Sequence, residues 1–342
     1  MNKILFISKF LKVQLILIVV MITIGIIGIT KSLFASNSVS TPNVWVANYG
    51  NNTVTELNGS NGNTIGIYTV GYGPGGIAVD ANGNVWIANT VSNNVTELNG
   101  SNGNTIGTYT VGEAPGGIAI DANGNIWVAN AVSNNVTELN GSNGSTIGTY
   151  DVGSGPHGIA VDSNGNIWVA NLESHTVTEL NGLNGSTIGT YKVGSSPNGI
   201  TVDANGNIWV ANALDNTVTE LKGTNGSIIG TYKVGTTPFG IAVDKFNHIW
   251  IANTESNNVT ELNGATGNTI GTYTVGSSPE GISVDKLNHI WVANFDSNNV
   301  TELNGTNGSI IGTYKVGSGK SHPESFGDMT GFTLQYFVLG RR

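Results

Sequence analysis

Beyond residue 35, apolar residues come in short bursts and never in the three-and-four spacing of an amphipathic helix. The segment GGIAVDANGNVWIANTVSNNVTELNGSNGNTIGTYTVGEAP, residues 75–115, shows the pattern. It holds four runs, GIAVD, NVWIAN, NVTEL and TIGTYTVG, separated by clusters of Asn, Gly and Ser. Short β-rich runs bounded by such clusters predict strands joined by tight turns, and four in succession predict an antiparallel meander. In DANGN, Gly83 takes the place where the turn needs a positive φ. Asn247 and Asn288 stand there in the sixth and seventh units, and Asn tolerates that conformation best after Gly. The turn faintly resembles a calcium loop, but the closing Glu is missing, so it reads as a hairpin turn. The repeated Asn residues of WVAN and SNNV are expected to hold the loops through local side-chain bonds.

The unit recurs without a gap. Trp45, Trp86, Trp127, Trp168, Trp209, Trp250 and Trp291 are each 41 residues from the next. A period of roughly 40–45 residues with four strands per unit predicts an all-β fold, a seven-bladed β-propeller of four-stranded blades over residues 42–340. The tryptophans are expected to pack between blades. Trp45 has no GIAVD run before it, so the first blade lacks an innermost strand. The run GFTLQYFVLG, residues 331–340, is expected to supply it, closing the ring with three N-terminal strands and one C-terminal strand.

Composition adds compartment and charge. Lys3, Lys9 and Lys12 precede the apolar run at residues 15–29, and the small residue Ala35 follows, so residues 1–35 read as a secretory signal peptide. An uncleaved anchor is the alternative and would be the protein's one link to a membrane. Either way the rest is expected outside the cytoplasm, as a secreted, periplasmic or cell-surface protein. Without the first 35 residues the chain has 9 basic and 22 acidic side chains, a formal charge of −13. That balance repels phosphate backbones and argues against nucleic acid as a partner. The absence of cysteine excludes disulfides and Cys-ligated zinc.

Seven similar units act as an internal alignment: structural roles repeat, whereas a single binding site falls where units differ. The residue between Pro and Gly differs most, running Gly75, Gly116, His157, Asn198, Phe239, Glu280. The triplet after WVAN or WIAN also varies and supplies Glu173, Asp215, Glu255, Phe295 and Asp296, with His175 directly after it in the fourth unit. In an up-and-down blade both places lie on one face of the disc. The DANGN and NGSNGN turns lie on the other face and hardly vary. The divergent positions gather on units four to seven as an acidic sector with aromatic residues and two histidines, and Tyr49 extends it across the closure. These are the ligand-binding candidates, weighed against simple drift at exposed loops.

The stretch WVANTVSNNVTEL with TIGTYTVGSSPEGISVD resembles the YVTN-type propeller repeat of surface and periplasmic proteins. PxGIAVDANGNVWIAN also resembles the NHL repeat and the streptogramin lyase (virginiamycin B lyase-like) family. The lyase resemblance implies catalysis by histidines in Pro-His-x-Ile motifs on successive blades, a glutamate ending a Trp-x-x-Glu strand, and magnesium. His157 matches the first histidine and is the candidate catalytic residue. Asn198 stands at the second, and Asn171 stands for the glutamate. Lactonase relatives imply a metal held at the channel mouth by Glu, Asn and Asp, to which Glu280 and Asn198 could contribute. Magnesium or calcium are thus the candidate ions. The sequence favours a non-catalytic binding or scaffold module whose partner is an envelope protein, a glycan or a small molecule. The alternative is a metal-assisted lyase or lactonase.

Overall fold

The computed structural model describes residues 43–319, 321–323 and 326–328, the last three as backbone alone. Its strands form seven sheets around a central channel. Blade four shows the plan: Pro156–Val161 innermost, then Ile167–Asn171, Thr176–Leu180 and Thr187–Lys192, each antiparallel to the one before. Blades two to seven each contain four such strands. Blade one has three among the described residues, Val44–Asn48, Thr53–Leu57 and Thr64–Thr69. The loop leading into each inner strand and the loop between second and third strands lie at one end of the sheet, here the upper face. The other two turns lie at the lower face.

The tryptophans pack between blades, as expected. Trp168 is fully buried and meets Ile200, Ile208 and Val210 of blade five. Its indole N–H donates to Asp162 Oδ2 at 3.0 Å, while Oδ1 of that Asp accepts the backbone N–H groups of Asn164 and Asn166. The Asp of IAVD therefore shapes the turn and satisfies the buried indole together, and both of its oxygens receive donors.

Tyr191 forms the next layer of the joint. Its ring stacks on Trp168 at 5.6 Å and its hydroxyl donates to Glu179 Oε2 at 2.8 Å. The ring also presses on Gly226 of blade five, where φ is +67° and a Cβ would stand 2.0 Å from a ring carbon. Only glycine fits there. The same contact recurs as Tyr68–Gly103, Tyr109–Gly144, Tyr150–Gly185, Tyr232–Gly267 and Tyr273–Gly308, and finally as Tyr314–Gly62, which joins blade seven to blade one. The ring is closed. Burial, reinforced by the neighbouring carboxylate, pushes the hydroxyls of all seven tyrosines up to about 12. Burial likewise holds the Glu carboxyls of blades two to seven above their ordinary range.

The asparagines bond farther afield than expected. Asn171, at the end of WVAN, donates to Thr176 Oγ1 and Thr178 Oγ1 across the strand pair. Asn134, from an SNN turn, accepts from the N–H of Gly155 in the lead-in loop of the next blade.

The run at 331–340 lies outside the described residues. The lead-in loop of blade one is the segment ending at His322 and Pro323. Pro323 pairs with Asn48 just as Pro74 pairs with Asn89. His322 donates its N–H to Asn298 Oδ1, as Gly155 does to Asn134. Both residues before these prolines are left-handed, His322 at φ 46° and Gly73 at 63°. The backbone of Phe326–Asp328 then pairs parallel to Gly76–Ala78 of blade two's inner strand. The lead-in runs three residues longer here, with Pro323 falling 44 after Pro279, and that length hid the homologous proline from a reading based on a strict 41-residue step.

Candidate functional site

The inner strands approach closely because every Pro-x-Gly carries its glycine. A Cβ on Gly158 would stand 2.1 Å from the carbonyl oxygen of Asn198 in the next blade, and one on Gly117 would stand 2.2 Å from that of His157. The residues between Pro and Gly are thus crowded around a narrow channel. His157 lies half-buried there with its ring beside Gly116 of blade three. It is hydrogen-bonded to Asn198, which is buried, and meets the edge of Phe239 at 5.8 Å. Burial drives the His157 pKa down to about 4, and the Asn198 bond offsets only part of that. The structure therefore brings together His157, Asn198 and Phe239 of the sequence candidates. Glu280 occupies the same position in blade seven, half-buried.

The loop candidates separate into two kinds. Glu173, Glu255 and Asp296 are exposed at equivalent places on blades four, six and seven. His175 and Asp215 have scaffolding bonds. His175 sits at φ 56°, where the other blades place Asn, and its Nδ1 accepts the N–H of Ser196 at 3.0 Å. Asp215 replaces the serine of its turn and accepts the N–H of Ser195 at 2.7 Å, as Ser92 does for Tyr72. Phe295 is half-buried against the ring of His322 at 4.5 Å, part of the closure. Asp296 accepts from Ser278 Oγ at 2.5 Å. The acids form an arc over successive blades.

Two further groups escaped the sequence reading. Asp244, His248 and Glu261 of blade six, and Asp285, His289 and Glu302 of blade seven, are the described clusters that could hold a metal ion. They lie at the lower face, where DANGN becomes DKFNH and DKLNH, so that face is less uniform than expected. The signal was the replacement of Asn84 and its equivalents by His. Asn84 donates to Glu97 Oε1, and His248 places Nδ1 at 2.8 Å from Glu261 Oε1 in the same role. Asp244 is already engaged, with Oδ1 accepting from Phe246 and His248 and Oδ2 accepting from Trp250 Nε1 and Asn288 Nδ2. This donor set fits a hydrogen-bonded joint better than a calcium or magnesium site, since those hard ions take six or more oxygens, including water.

An NHL-repeat family model matches residues 154–180, the stretch that contains His157. No curated protein matches the sequence. Among solved structures, a streptogramin B lyase is 22% identical at a TM-score of 0.67, over 74% of this chain and 86% of that one. Virginiamycin B lyase from Staphylococcus aureus is 20% identical at 0.67, over 75% and 89%. A 6-phosphogluconolactonase candidate from Bacteroides fragilis is 16% identical at 0.72, over 85% and 98%. At these identities the likeness is one of fold: a propeller with lyase and lactonase-like neighbours.

Proposed function

We propose that this protein is an exported, non-catalytic binding or scaffold module acting at the cell exterior, with the acidic arc of the upper face as its docking surface. The observation that carries the proposal is the placement of charge. The exposed carboxylates among the described residues, Glu113, Asp151, Glu173, Asp215, Glu255 and Asp296, all lie at the upper end of the sheets. Lys192, Lys233 and Lys315 stand at the same upper end, in the outer-strand position that Asp151 takes in blade three, so over blades four to seven the acids lie on the loops nearer the channel, inside these lysines. An arc spread over four blades suits an extended cationic protein or glycan more than one chelated ion. A variant carrying Glu173→Gln, Asp215→Asn, Glu255→Gln and Asp296→Asn is expected to lose salt-sensitive capture of envelope proteins or array glycans by about tenfold. Equal capture by variant and wild type would remove the arc as the docking surface.

The lyase alternative is favoured by His157 at the channel and by the structural neighbours. A general base works best with a pKa near the operating pH. Desolvation holds His157 near 4, its neighbour is Asn198 where the family resemblance expects a second histidine, and Asn171 is tied to two threonines. Incubation with a streptogramin B and magnesium is expected to yield no linearised product. Turnover abolished by His157→Ala would establish the enzyme and end the binding-module reading.

A further inference from the structure

The lower face has its own singular sector. In blades two to five the turn between inner and second strands presents Ala or Ser followed by Asn. In blade six it presents Lys245 and Phe246, and in blade seven Lys286 and Leu287. All four are exposed, Phe246 at 53% and Leu287 at 43%. Lys222 of blade five is exposed on the same face. The turns are fixed to one another. Asn247 Oδ1 accepts the N–H of Ala204 in blade five, and Asn288 Oδ1 accepts the N–H of Lys245 in blade six. The lysine–apolar pairs thus stand on a rigid rim. Among the described residues the lower face carries no exposed carboxylate, because Asp244, Asp285, Glu261 and Glu302 are all buried.

The two faces therefore differ within one sector. Acids crown the upper loops nearer the channel in blades four to seven, with Lys192, Lys233 and Lys315 outside them at the ends of the outer strands, and lysines without exposed acids crown the lower turns of blades five to seven. Sliding one disc onto another along the channel axis, without rotation, brings one copy's Lys245 and Lys286 turns over the blades whose upper loops carry Glu255 and Asp296 in the next copy. We infer that the partner of the acidic arc is the lower rim of a second copy of this chain, so that the propellers stack head to tail. This rests on the arc being the docking surface and names what docks there. The contact is heterologous and does not close on itself, so it extends into open stacks. Charge pairs near a surface are screened, so the stacks are expected to loosen with salt.

Sedimentation velocity of the purified protein at low ionic strength is expected to show species that grow with concentration and dissociate on adding salt. Lys245→Glu with Lys286→Glu, and separately Glu255→Lys with Asp296→Lys, are each expected to weaken association by at least about tenfold while the thermal midpoint stays near wild type. Mixed in equal amounts, the two variants restore stacking, because each supplies the face the other has lost. A single monomeric species in wild type at every concentration would overturn the inference. So would assembly by either variant alone as in wild type, or a mixture that stays monomeric. Binding of the lower rim to anionic lipid vesicles without self-association would also overturn it. Loss of partner capture by the quadruple arc variant in a monomeric wild type would sink the stack and leave the docking surface standing.

Discussion

Raising the pH through 10 to 12 is expected to unfold the propeller in one steep step. The seven joint tyrosines, from Tyr68 to Tyr314, keep their protons to about 12 in the folded ring against an ordinary value of 10.0. A group whose folded pKa is raised contributes stability that is complete below its unfolded pKa and is lost as the pH climbs through the folded one. One pKa unit corresponds to about 1.4 kcal/mol. The rise from 10.0 to about 12 would thus be worth about 2.7 kcal/mol per joint; solvent screening at the half-exposed hydroxyls reduces that, yet even a quarter of it over seven joints is about 5 kcal/mol, comparable with the whole stability of many domains, roughly 5–15 kcal/mol. Tyrosinate absorbance and the β-sheet circular dichroism should therefore change together. Ionisation of all seven near pH 10 with the sheet signal intact would show that the joints are not what holds the protons. The buried glutamates act in the same sense at lower pH: their raised pKa values contribute stability that is complete below the ordinary carboxylate pKa and is lost as the pH rises through the raised one.

Deleting residues 321–342 is expected to lower the thermal midpoint by about 10 °C, since each kcal/mol is worth roughly 2–4 °C in a chain of this order of size. The deletion removes His322 and Ser321 carbonyls that accept the N–H groups of Tyr49 and Gly50. It also removes the His322 N–H bond to Asn298, the Asn48–Pro323 pair and the Phe295–His322 contact. Each net hydrogen bond contributes about 1 kcal/mol, and donors left without partners in a packed interface cost more. Differential scanning calorimetry of the full and shortened chains decides the matter. An unchanged midpoint would mean that the Tyr314–Gly62 joint and the Trp291 core close the ring without the clasp.

The architecture was readable in the sequence because its physical causes repeat. A tryptophan every 41 residues, a glycine wherever a tyrosine ring or a neighbouring carbonyl must approach, and an Asp at each turn leave a periodic trace. The site was much less readable. His175 and Asp215 looked like ligand positions because they break the repeat. They break it only in name, since a histidine nitrogen and a carboxylate oxygen accept the same backbone N–H that Asn and Ser accept elsewhere. Those bonds join residues about twenty apart across a loop pair, a distance along the chain at which residue identity says nothing about pairing. The contact of Phe295 was hidden for a related reason: its partner, His322, comes from the far end of the chain. Conversely, Lys245, Phe246 and His248 are hard to single out because the four copies of their turn in blades two to five are nearly uniform.

The tyrosine–glycine joints have a consequence for assembly during synthesis. All seven are chemically alike, so a finished blade offers any other blade the same welcome, whether that blade is next in the chain, several units away or on another molecule. Neighbour order is imposed by the short covalent links and barely at all by recognition. It is written chemically at a few places, where His157 meets Asn198 and Phe239, Asn247 meets Ala204, and Asn288 meets Lys245 and Asp244. Emergence of the chain one blade at a time supplies the order that the joints lack. Refolding of fully unfolded, concentrated protein has no such guide and yields blades exchanged between molecules, the characteristic misassembly of repeat proteins.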